Sequence, residues 1–395
     1  LSGAIPSIID SFFESISGFT TTGASILEEV ESLPEGLLFW RSFTHWIGGM
    51  GVLILTLAIL PSIGEGAFQI MKAESPGPSP GKLVPKLGKT AQILYGIYLA
   101  ITFIEIVLLF VSGMSLFDAC IHTFGTVGTG GFSSRNASIG SFNNIYAEIT
   151  IAVFMFICGI NFSLHYQVMK GNVKALFKDE EFRFYISIIF ISILLITINL
   201  YKDSIYSMGE SLRHSSFQVV SIITTTAYTT VDFDKWPVFS KMILFFLMFM
   251  GGCAGSTAGG MKNIRILLLL KTVKAELMQI IHPRAINPVR YGGKTVDAKV
   301  ISGIKSFFFA HFFIFAVAVL LVSLDGFDMI TTLSSVISTM SNIGPTFAMV
   351  GPMGNFSQMS VLSKMVLALT MLIGRLEIYP LLLLTVPSFW RKVNI

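Results

Sequence analysis

The sequence is short of charge, of cysteine and of paired histidine. Only 13% of its 395 residues are Asp, Glu, Lys or Arg, whereas about a quarter of the residues in a soluble domain are charged. Its three cysteines show no CxxC spacing, which argues against a disulfide framework or a cysteine metal site. Its six histidines form no HxxxH or HExxH pair, so metal catalysis has no support. These shortages argue against a soluble domain.

Long apolar runs take the place of charge, since 53% of the residues are hydrophobic. A helix needs about 20 apolar residues to cross a bilayer core of about 30 Å. Runs that approach or exceed this length lie at 91–112, 145–164, 184–200, 238–252, 306–324 and 361–374. Because the runs are continuous and do not alternate in polarity, they predict an all-α polytopic membrane protein rather than a porin-like barrel.

The charged loops predict the orientation in the membrane. Residues 262–305 hold nine basic residues against two acids, which predicts a cytoplasmic loop by the positive-inside rule. Residues 26–36 hold four glutamates and no basic residue, which fits the outer face. Two interpretations of this acidic segment stay open, a solvated loop and a mouth that concentrates cations. The chain begins without methionine or a signal-peptide pattern, so we expect residues upstream of Leu1.

Four patches rich in Thr and Gly recur along the chain. They read "GFTTTGAS" (18–25), "GTVGTGGFSS" (125–134), "ITTTAYTTVDF" (223–233) and "SNIGPTFAMVG" (341–351). Aligning Gly23, Gly131, Ala227 and Gly344 places the patches 108, 96 and 117 residues apart. An internal repeat of this kind fixes the architecture before any motif is interpreted. We predict four helix–pore loop–helix repeats with pseudo-fourfold symmetry around a central pore, at 1–68, 69–180, 181–285 and 286–395.

Each patch follows a segment too short and too polar to span the membrane, which predicts re-entrant half-helices. Non-helical backbone is tolerated at membrane depth only where it is buried in protein or lines a watery cavity. Rings of backbone carbonyls replace the hydration shell of K+ in potassium channels, and "TVGTG" (126–130) resembles the channel filter "TVGYG". The predicted K+-binding filter residues are Thr21, Thr22, Gly23, Thr129, Gly130, Gly131, Thr225, Thr226, Ala227, Asn342, Ile343 and Gly344.

Several longer motifs resemble the TrkH family of bacterial potassium-uptake membrane subunits, a relative of the Ktr membrane subunits. They are "FWRSFTHWIGGMGVLIL" (39–55), "CGINFSLHY" (158–166) and "MLIGRLEIYP" (371–380). The resemblance covers essentially the whole chain. It implies a multi-pass homodimer in the bacterial inner membrane that conducts K+ as its substrate. It also implies a cytosolic TrkA-type ring that binds the regulatory nucleotide, with no cofactor on this chain and no nucleic-acid partner.

The sequence departs from the family pattern in two places. Ala227 stands where the family has a filter glycine, and its methyl group disfavours positive φ. This departure puts strict selectivity for K+ over Na+ in doubt for the third quarter of the filter, although it could be harmless. The family's two extra N-terminal helices and the outer helix of the first repeat are also missing from the sequence.

A glycine-rich stretch predicts a break after the third inner helix. Five glycines lie within 251–260, and each costs a helix interior about 1 kcal/mol relative to Ala. The resemblance implies an intramembrane gating loop at 250–262. The predicted gate residues are Gly251, Gly252, Gly255, Ser256, Thr257, Gly259, Gly260 and Arg375. A phosphate-binding loop fits poorly because Met261 separates Gly260 from Lys262, while close helix packing stays open as an alternative.

Arg375 lies inside the apolar stretch 361–386, where a charged side chain costs roughly 2.5–3.5 kcal/mol on insertion scales. One interpretation places the cation at the pathway below the filter, as the resemblance implies. The other pairs it with a buried acid or lets it reach the cytoplasmic edge. Glu377 cannot share its helix face, so we expect Glu377 to hold a neighbouring helix.

Two other classes of function were weighed against a gated pore. A polytopic membrane enzyme needs a convergent set of acid, base and nucleophile, whereas the polar residues here are spread over four repeats. A secondary transporter usually carries two inverted repeats, not four in one orientation. A Na+/K+-permeable or ion-coupled symporter of the same fold stays as the alternative to a K+ pore. The sequence therefore predicts transport without catalysis.

Overall fold

The computed structural model describes residues 5–51, 87–285, 287–384 and 387. Its α-helices are Ile8–Phe19 (α1), Glu35–Met50 (α2), Leu87–Val111 (α3), Leu116–Val127 (α4), Ile145–Cys158 (α5), Phe162–Met169 (α6), Val173–Lys178 (α7), Glu180–Lys202 (α8), Met208–Ile223 (α9), Val238–Met250 (α10), Asn263–Ile281 (α11), Ala298–Val322 (α12), Met329–Met340 (α13), Val361–Arg375 (α14) and Tyr379–Leu384 (α15). Short 3-10 turns lie at Ser138–Phe142, Phe233–Lys235, Ser323–Asp325 and Ala348–Val350. Residues 52–68 of the predicted first repeat lie outside the described residues.

In repeats 2 to 4 the helices follow one order, which is outer helix, pore helix and inner helix, and the described part of repeat 1 holds a pore helix followed by an inner helix. The outer helices are α3, α8 and α12, the pore helices are α1, α4, α9 and α13, and the inner helices are α2, α5, α10 and α14. Within the described residues, three segments, all within or around the outer helices, are long and apolar enough to cross a membrane: Lys89–Val111, Glu180–Lys202 and Ala298–Asp325. Their outward side chains, such as Phe103 and Phe309, are exposed, as suits contact with lipid.

The pore helices begin in the same way. The side chains of Ser7, Ser115, Ser207 and Asp328 each accept a hydrogen bond from a backbone amide of the first turn. Such N-caps satisfy amides that lack a partner within the helix. The helices hold 12 to 16 residues each, which corresponds to about 18–24 Å at 1.5 Å per residue. They are too short to cross a bilayer, as the re-entrant prediction requires.

Two ion pairs, one of them buried on both sides, connect pore helices to inner helices. Arg41 on α2 contacts Glu14 on α1 at 2.6 Å, and both side chains are buried. Arg213 on α9 contacts Glu148 on α5 at 2.5 Å. Charges removed from water need such partners, because an unpaired buried charge is strongly destabilising. These pairs position the re-entrant segments relative to the helices that surround them.

The inner helices end before they could cross the membrane. Gly51 (φ 74°) ends α2, and Gly251 (φ 74°) ends α10. The chain bends by 100° between α5 and α6, so the apolar run 145–164 is not one helix. The stretch 361–386 is also broken, because Glu377 and Ile378 both adopt φ 62° after α14. The sequence predicted only the break at 251–260, and the other breaks have weaker signals.

The predicted cytoplasmic loop contains a small β-hairpin. Strands Arg290–Tyr291 (β1) and Lys294–Thr295 (β2) pair antiparallel, with Arg290 opposite Thr295. The turn is Gly292–Gly293, with φ values of 56° and 78°. Two-residue hairpin turns favour such left-handed residues because their twist matches that of the strands. The hairpin departs from the all-helical expectation.

Candidate ion filter and gate

The four pore helices end in one backbone geometry. The residues Thr21, Thr129, Thr225 and Asn342 all adopt left-handed φ values, of 55°, 55°, 58° and 55°. The amide of the following residue donates in each case to the carbonyl five residues earlier, at 2.9, 2.8, 3.0 and 2.9 Å in chain order. This pattern is a Schellman motif, which turns the chain sharply out of a helix. Four different sequences therefore share one exit from the helix.

The second residue after each left-handed position also has positive φ. The values are 77° at Gly23, 79° at Gly131, 53° at Ala227 and 101° at Gly344. A left-handed conformation costs a non-glycine residue roughly 1–2 kcal/mol. Ala227 nevertheless adopts it, so the methyl group does not change the course of the backbone there. Its effect on selectivity stays a prediction.

These segments meet one another around a common centre. A Cβ atom built on Gly23 would overlap the carbonyl oxygen of Gly130, and one built on Gly131 would overlap that of Thr226. A Cβ on Gly344 would lie 2.7 Å from the carbonyl oxygen of Thr22. Only glycine permits such close approach. The order of neighbours places repeat 1 between repeats 4 and 2, and repeat 3 beside repeat 2.

All four repeats line one open cavity on the outer side of these segments. The cavity has a volume of about 120 Å³, and its lining includes Gly23, Gly131, Ala227 and Pro345, one from each repeat. Glu28 from the acidic segment lies at the same cavity, together with Arg41 and Arg135. The predicted acidic mouth is thus lined by both signs of charge.

The electrostatics of the ring favour a cation. Each pore helix ends immediately before a filter segment, so the negative end of its dipole lies at the ring. The buried hydroxyl of Thr21 has no hydrogen-bond partner in the described part of the chain. Those described residues also contain no group of three His, Cys, Asp or Glu side chains that could hold a metal ion. Carbonyl and hydroxyl oxygens are ligands for hard cations rather than for transition metals.

The glycine-rich loop packs against the inner end of this ring. The amide of Gly259 donates to the hydroxyl of Thr225 at 2.7 Å. A Cβ on Gly259 would lie 2.5 Å from the carbonyl oxygen of Ser341 and 3.1 Å from Cβ of Asn342. The predicted gate and the third and fourth filter segments are therefore in direct contact.

The same loop rests on the bend between α5 and α6. The amide of Cys253 donates to the carbonyl of Gly159, and the amide of Phe162 donates to the carbonyl of Gly255, both at 2.9 Å. Gly252 approaches Ser256 and Ala258, so the loop is folded upon itself. Gly251 and Gly260, which lie at the two ends of the loop, are in direct backbone contact. The break between α5 and α6 therefore provides the backbone groups to which this loop is hydrogen-bonded.

Arg375 joins the loop to the first inner helix. Its guanidinium donates to the carbonyl of Thr257 at 2.9 Å, to that of Gly49 at 3.0 Å, and to that of Gly48. A Cβ on the adjacent Gly374 would lie 2.8 Å from Oδ1 of Asn342. The backbone next to Arg375 therefore lies close to the fourth filter segment, and the guanidinium connects the glycine-rich loop to the end of α2.

Glu377 holds a neighbouring helix, as expected. Its carboxylate pairs with Arg265 on α11, with one contact at 3.2 Å. Arg265 also lies over the ring of Phe307 on α12, 4.0 Å from its centroid. This arrangement fixes the chain just after Arg375. Sequence reasoning did not identify Arg265, because its partner is 112 residues away.

The described fold, with four re-entrant repeats around one axis, is that of a membrane cation transporter. A family model described as "TrkH: Cation transport protein" matches residues 1–392. The chain belongs to the TrkH family.

Relatives and a solved structure agree with this assignment. The Trk system potassium uptake protein TrkH of Escherichia coli K12 is 40% identical over 388 residues, which cover 98% of this chain and 80% of the relative. The protein of the same name from Vibrio parahaemolyticus is 41% identical over 391 residues, with the same coverage. The crystal structure of the potassium transporter TrkH from Vibrio parahaemolyticus superposes with a TM-score of 0.86 at 38% identity, over 98% of this chain and 80% of that one.

Proposed function

We propose that this chain is a potassium-uptake subunit of the bacterial inner membrane, a gated pore that prefers K+ and Rb+. One observation carries the proposal: four segments with the same left-handed backbone converge at the C termini of four pore helices. A dehydrated K+ ion needs several oxygen ligands at once, and converging backbone carbonyls supply them. Relatives named as potassium uptake proteins support the same choice of ion.

The ligands we propose are the backbone oxygens of the four filter segments, 21–23, 129–131, 225–227 and 342–344. Hydroxyl groups hold these segments in place. Thr20 and Thr22 bond each other at 2.8 Å, and Thr224 and Thr226 do so at 3.0 Å. The side-chain Nδ2 of Asn342 donates to the hydroxyl of Thr22 at 3.0 Å, which links repeats 4 and 1.

The gate we propose is the loop 250–262 together with Arg375. Two contacts support this proposal, since Gly259 in the loop donates to Thr225 in the third filter segment and Arg375 donates to Thr257 in the same loop. A fixed positive charge in a low-dielectric pathway raises the barrier for another cation. This arrangement represents a closed pore, and conduction requires the loop and the arginine to move away from the axis.

The partners we propose are a second copy of this chain and a cytosolic TrkA-type ring that carries the regulatory nucleotide. The basic loop 262–305 supports the second part. Within it Lys274, Arg284 and Lys299 are exposed, so they are available to a partner with an acidic surface. The chain itself binds no cofactor in this proposal, and the ion is its substrate.

An ion-flux measurement tests the proposed function. Bacteria that lack their own K+ uptake and have been depleted of K+ should take up Rb+ when they express this chain with its cytosolic partner. Na+ should enter far more slowly, and excess K+ should compete with Rb+. Equal rates for Na+ and Rb+ would favour the Na+/K+-permeable alternative. Uptake that follows an imposed pH gradient rather than the K+ gradient would favour an ion-coupled symporter.

A further inference from the structure

Three consecutive acids, Asp179, Glu180 and Glu181, stand at the start of the outer helix α8. Together they bind two different parts of the cytoplasmic side of the chain. Two of them hold the β-hairpin, and the third holds the glycine-rich loop. The three side chains thus bring together two elements that are distant in sequence.

Glu181 fixes both ends of the gating loop with a single oxygen atom. Its Oε1 accepts hydrogen bonds from the amide of Ala254 at 2.7 Å and from the amide of Ile264 at 3.0 Å. The side chain is buried. Ala254 lies near the start of the loop and Ile264 in the first turn of α11, so the loop leaves and returns at one point.

Glu181 also caps the N terminus of α11, which has no side-chain cap from its own N-cap residue. Lys262, at the N-cap position, makes no side-chain capping bond, and its ammonium group donates instead to the carbonyl of Ala258 inside the loop. A carboxylate near a helix N terminus is favoured by its free amides and its dipole. The cap of α11 is therefore supplied by another helix, and removal of that cap releases the loop.

The first two acids hold the hairpin. Asp179 caps α8 through the amide of Phe182 at 2.8 Å, and it accepts a hydrogen bond from the hydroxyl of Tyr291 at 3.2 Å. Burial, followed by the nearby charge of Asp179, raises the pKa of this hydroxyl, so it stays a donor. Glu180 accepts from the amide of Gly292 at 3.0 Å and pairs with Lys271.

Lys271, which lies on α11, also contacts the hairpin. Its ammonium group donates to the carbonyl of Arg290 at 2.8 Å. The hairpin is therefore bonded both to the turn that carries Glu181 and to the helix that Glu181 caps. One helical turn is rigid on the scale of these distances, because its backbone bonds are made within the helix. A displacement of the hairpin is passed to Glu181 through this turn.

We propose that Glu181 is a positioning residue for the gating loop, and that the hairpin 290–295 controls the loop through the acidic turn 179–181. This inference rests on the proposed function, because it needs the loop to be a gate. It adds the route by which a cytoplasmic partner reaches that gate. A partner that pulls the hairpin loosens the cap of α11 and frees both ends of the loop.

The test measures Rb+ leak through purified protein in liposomes without any cytosolic partner. Glu181→Ala removes the acceptor, and we expect leak to rise roughly tenfold, with the Rb+ to Na+ ratio unchanged. Glu181→Gln keeps an amide oxygen in the same place and should raise leak by no more than about threefold. An unchanged leak for Glu181→Ala in folded protein would overturn the inference, as would a changed ion ratio.

The hairpin is tested separately by Tyr291→Phe, which removes one hydroxyl and little volume. We expect leak to rise about twofold to threefold, and Asp179→Asn added to it should have no further effect, because the bond between Asp179 and Tyr291 has already been removed. Asn still serves as an N-cap. Lys305→Ala is the control, since it removes an exposed ion pair with Glu276 from the same side of the chain. A leak from Tyr291→Phe equal to that of wild type would refute the role of the hairpin.

Arg375→Ala, measured beside these variants, separates the inference from the function on which it rests. If Arg375→Ala raises leak and Glu181→Ala does not, the gate survives and the positioning role is wrong. If neither variant raises leak while the wild type takes up Rb+ with its partner, the proposed gate itself is wrong.

Discussion

Replacing Gly344 by serine tests the filter through one close contact. Gly344 has φ 101°, and a Cβ there would lie 2.7 Å from the carbonyl oxygen of Thr22 and 3.0 Å from the carbonyl carbon of Gly23. Ordinary contacts begin at 3.4 Å, so the Thr22 carbonyl must move by about 0.7 Å to avoid the new atom. The positive φ adds roughly 1–2 kcal/mol of strain. Since about 1.4 kcal/mol is a factor of ten, we expect the K+ to Na+ permeability ratio to fall roughly tenfold.

Reversal potentials with K+ on one side of a bilayer and Na+ on the other give this ratio directly. Gly209→Ser is the matched control, because Gly209 lies in the first turn of α9 with open space around its Cβ position. Ala227→Gly is a second control, and it should leave the ratio within about twofold because Ala227 already has the backbone of its glycine counterparts. A Gly344→Ser protein with the ratio of wild type would refute the alignment of the four segments.

Three further predictions concern the gate, the fold and the partner. Arg375→Ala should raise flux through protein without its partner, because the charge at the inner end of the filter is lost; single-channel recordings with unaltered open probability would count against it. Arg41→Ala should destabilise the fold by about 3–5 kcal/mol, because it leaves Glu14 buried without its cation. Thermal unfolding in detergent measures this, and Arg41→Ala with Glu14→Gln should recover part of the loss. Lys274→Glu with Arg284→Glu should weaken capture of the cytosolic ring, and capture that persists unchanged would place the docking surface elsewhere.

The recurrence of four similar segments was predictable from the sequence because the signal there is local, while the role of these segments as a K+ filter stays a prediction. The patches consist of residues that tolerate left-handed backbone or allow close contact between backbones. They recur along the chain at spacings of 108, 96 and 117 residues. The 108-residue spacing of Gly23 and Gly131 matches that of Thr21 and Thr129, whose φ values agree at 55°. The clear exception was Ala227, where composition argued against a positive φ that tertiary contacts nevertheless impose.

Most breaks of the inner helices, and the contacts of Glu181 with the glycine-rich loop, have no local signal in the sequence and were not predictable from it. Leu376–Ile378 contains no glycine or proline, yet two of its residues adopt positive φ beside the ion pair of Glu377 and Arg265. Glu181 lies 73 residues from Ala254 and 83 from Ile264. Acids at a helix start are expected from the dipole alone, so the sequence offered no reason to connect them with the loop that follows α10.

A map of bound ions tests the central claim most directly. Crystals grown with Rb+ should show anomalous peaks on the axis shared by the four segments, within coordination distance of carbonyl oxygens from all four repeats. The same crystals of Gly344→Ser should lose at least one of these peaks. Rubidium peaks that lie away from this axis, or none between the segments, would contradict the account.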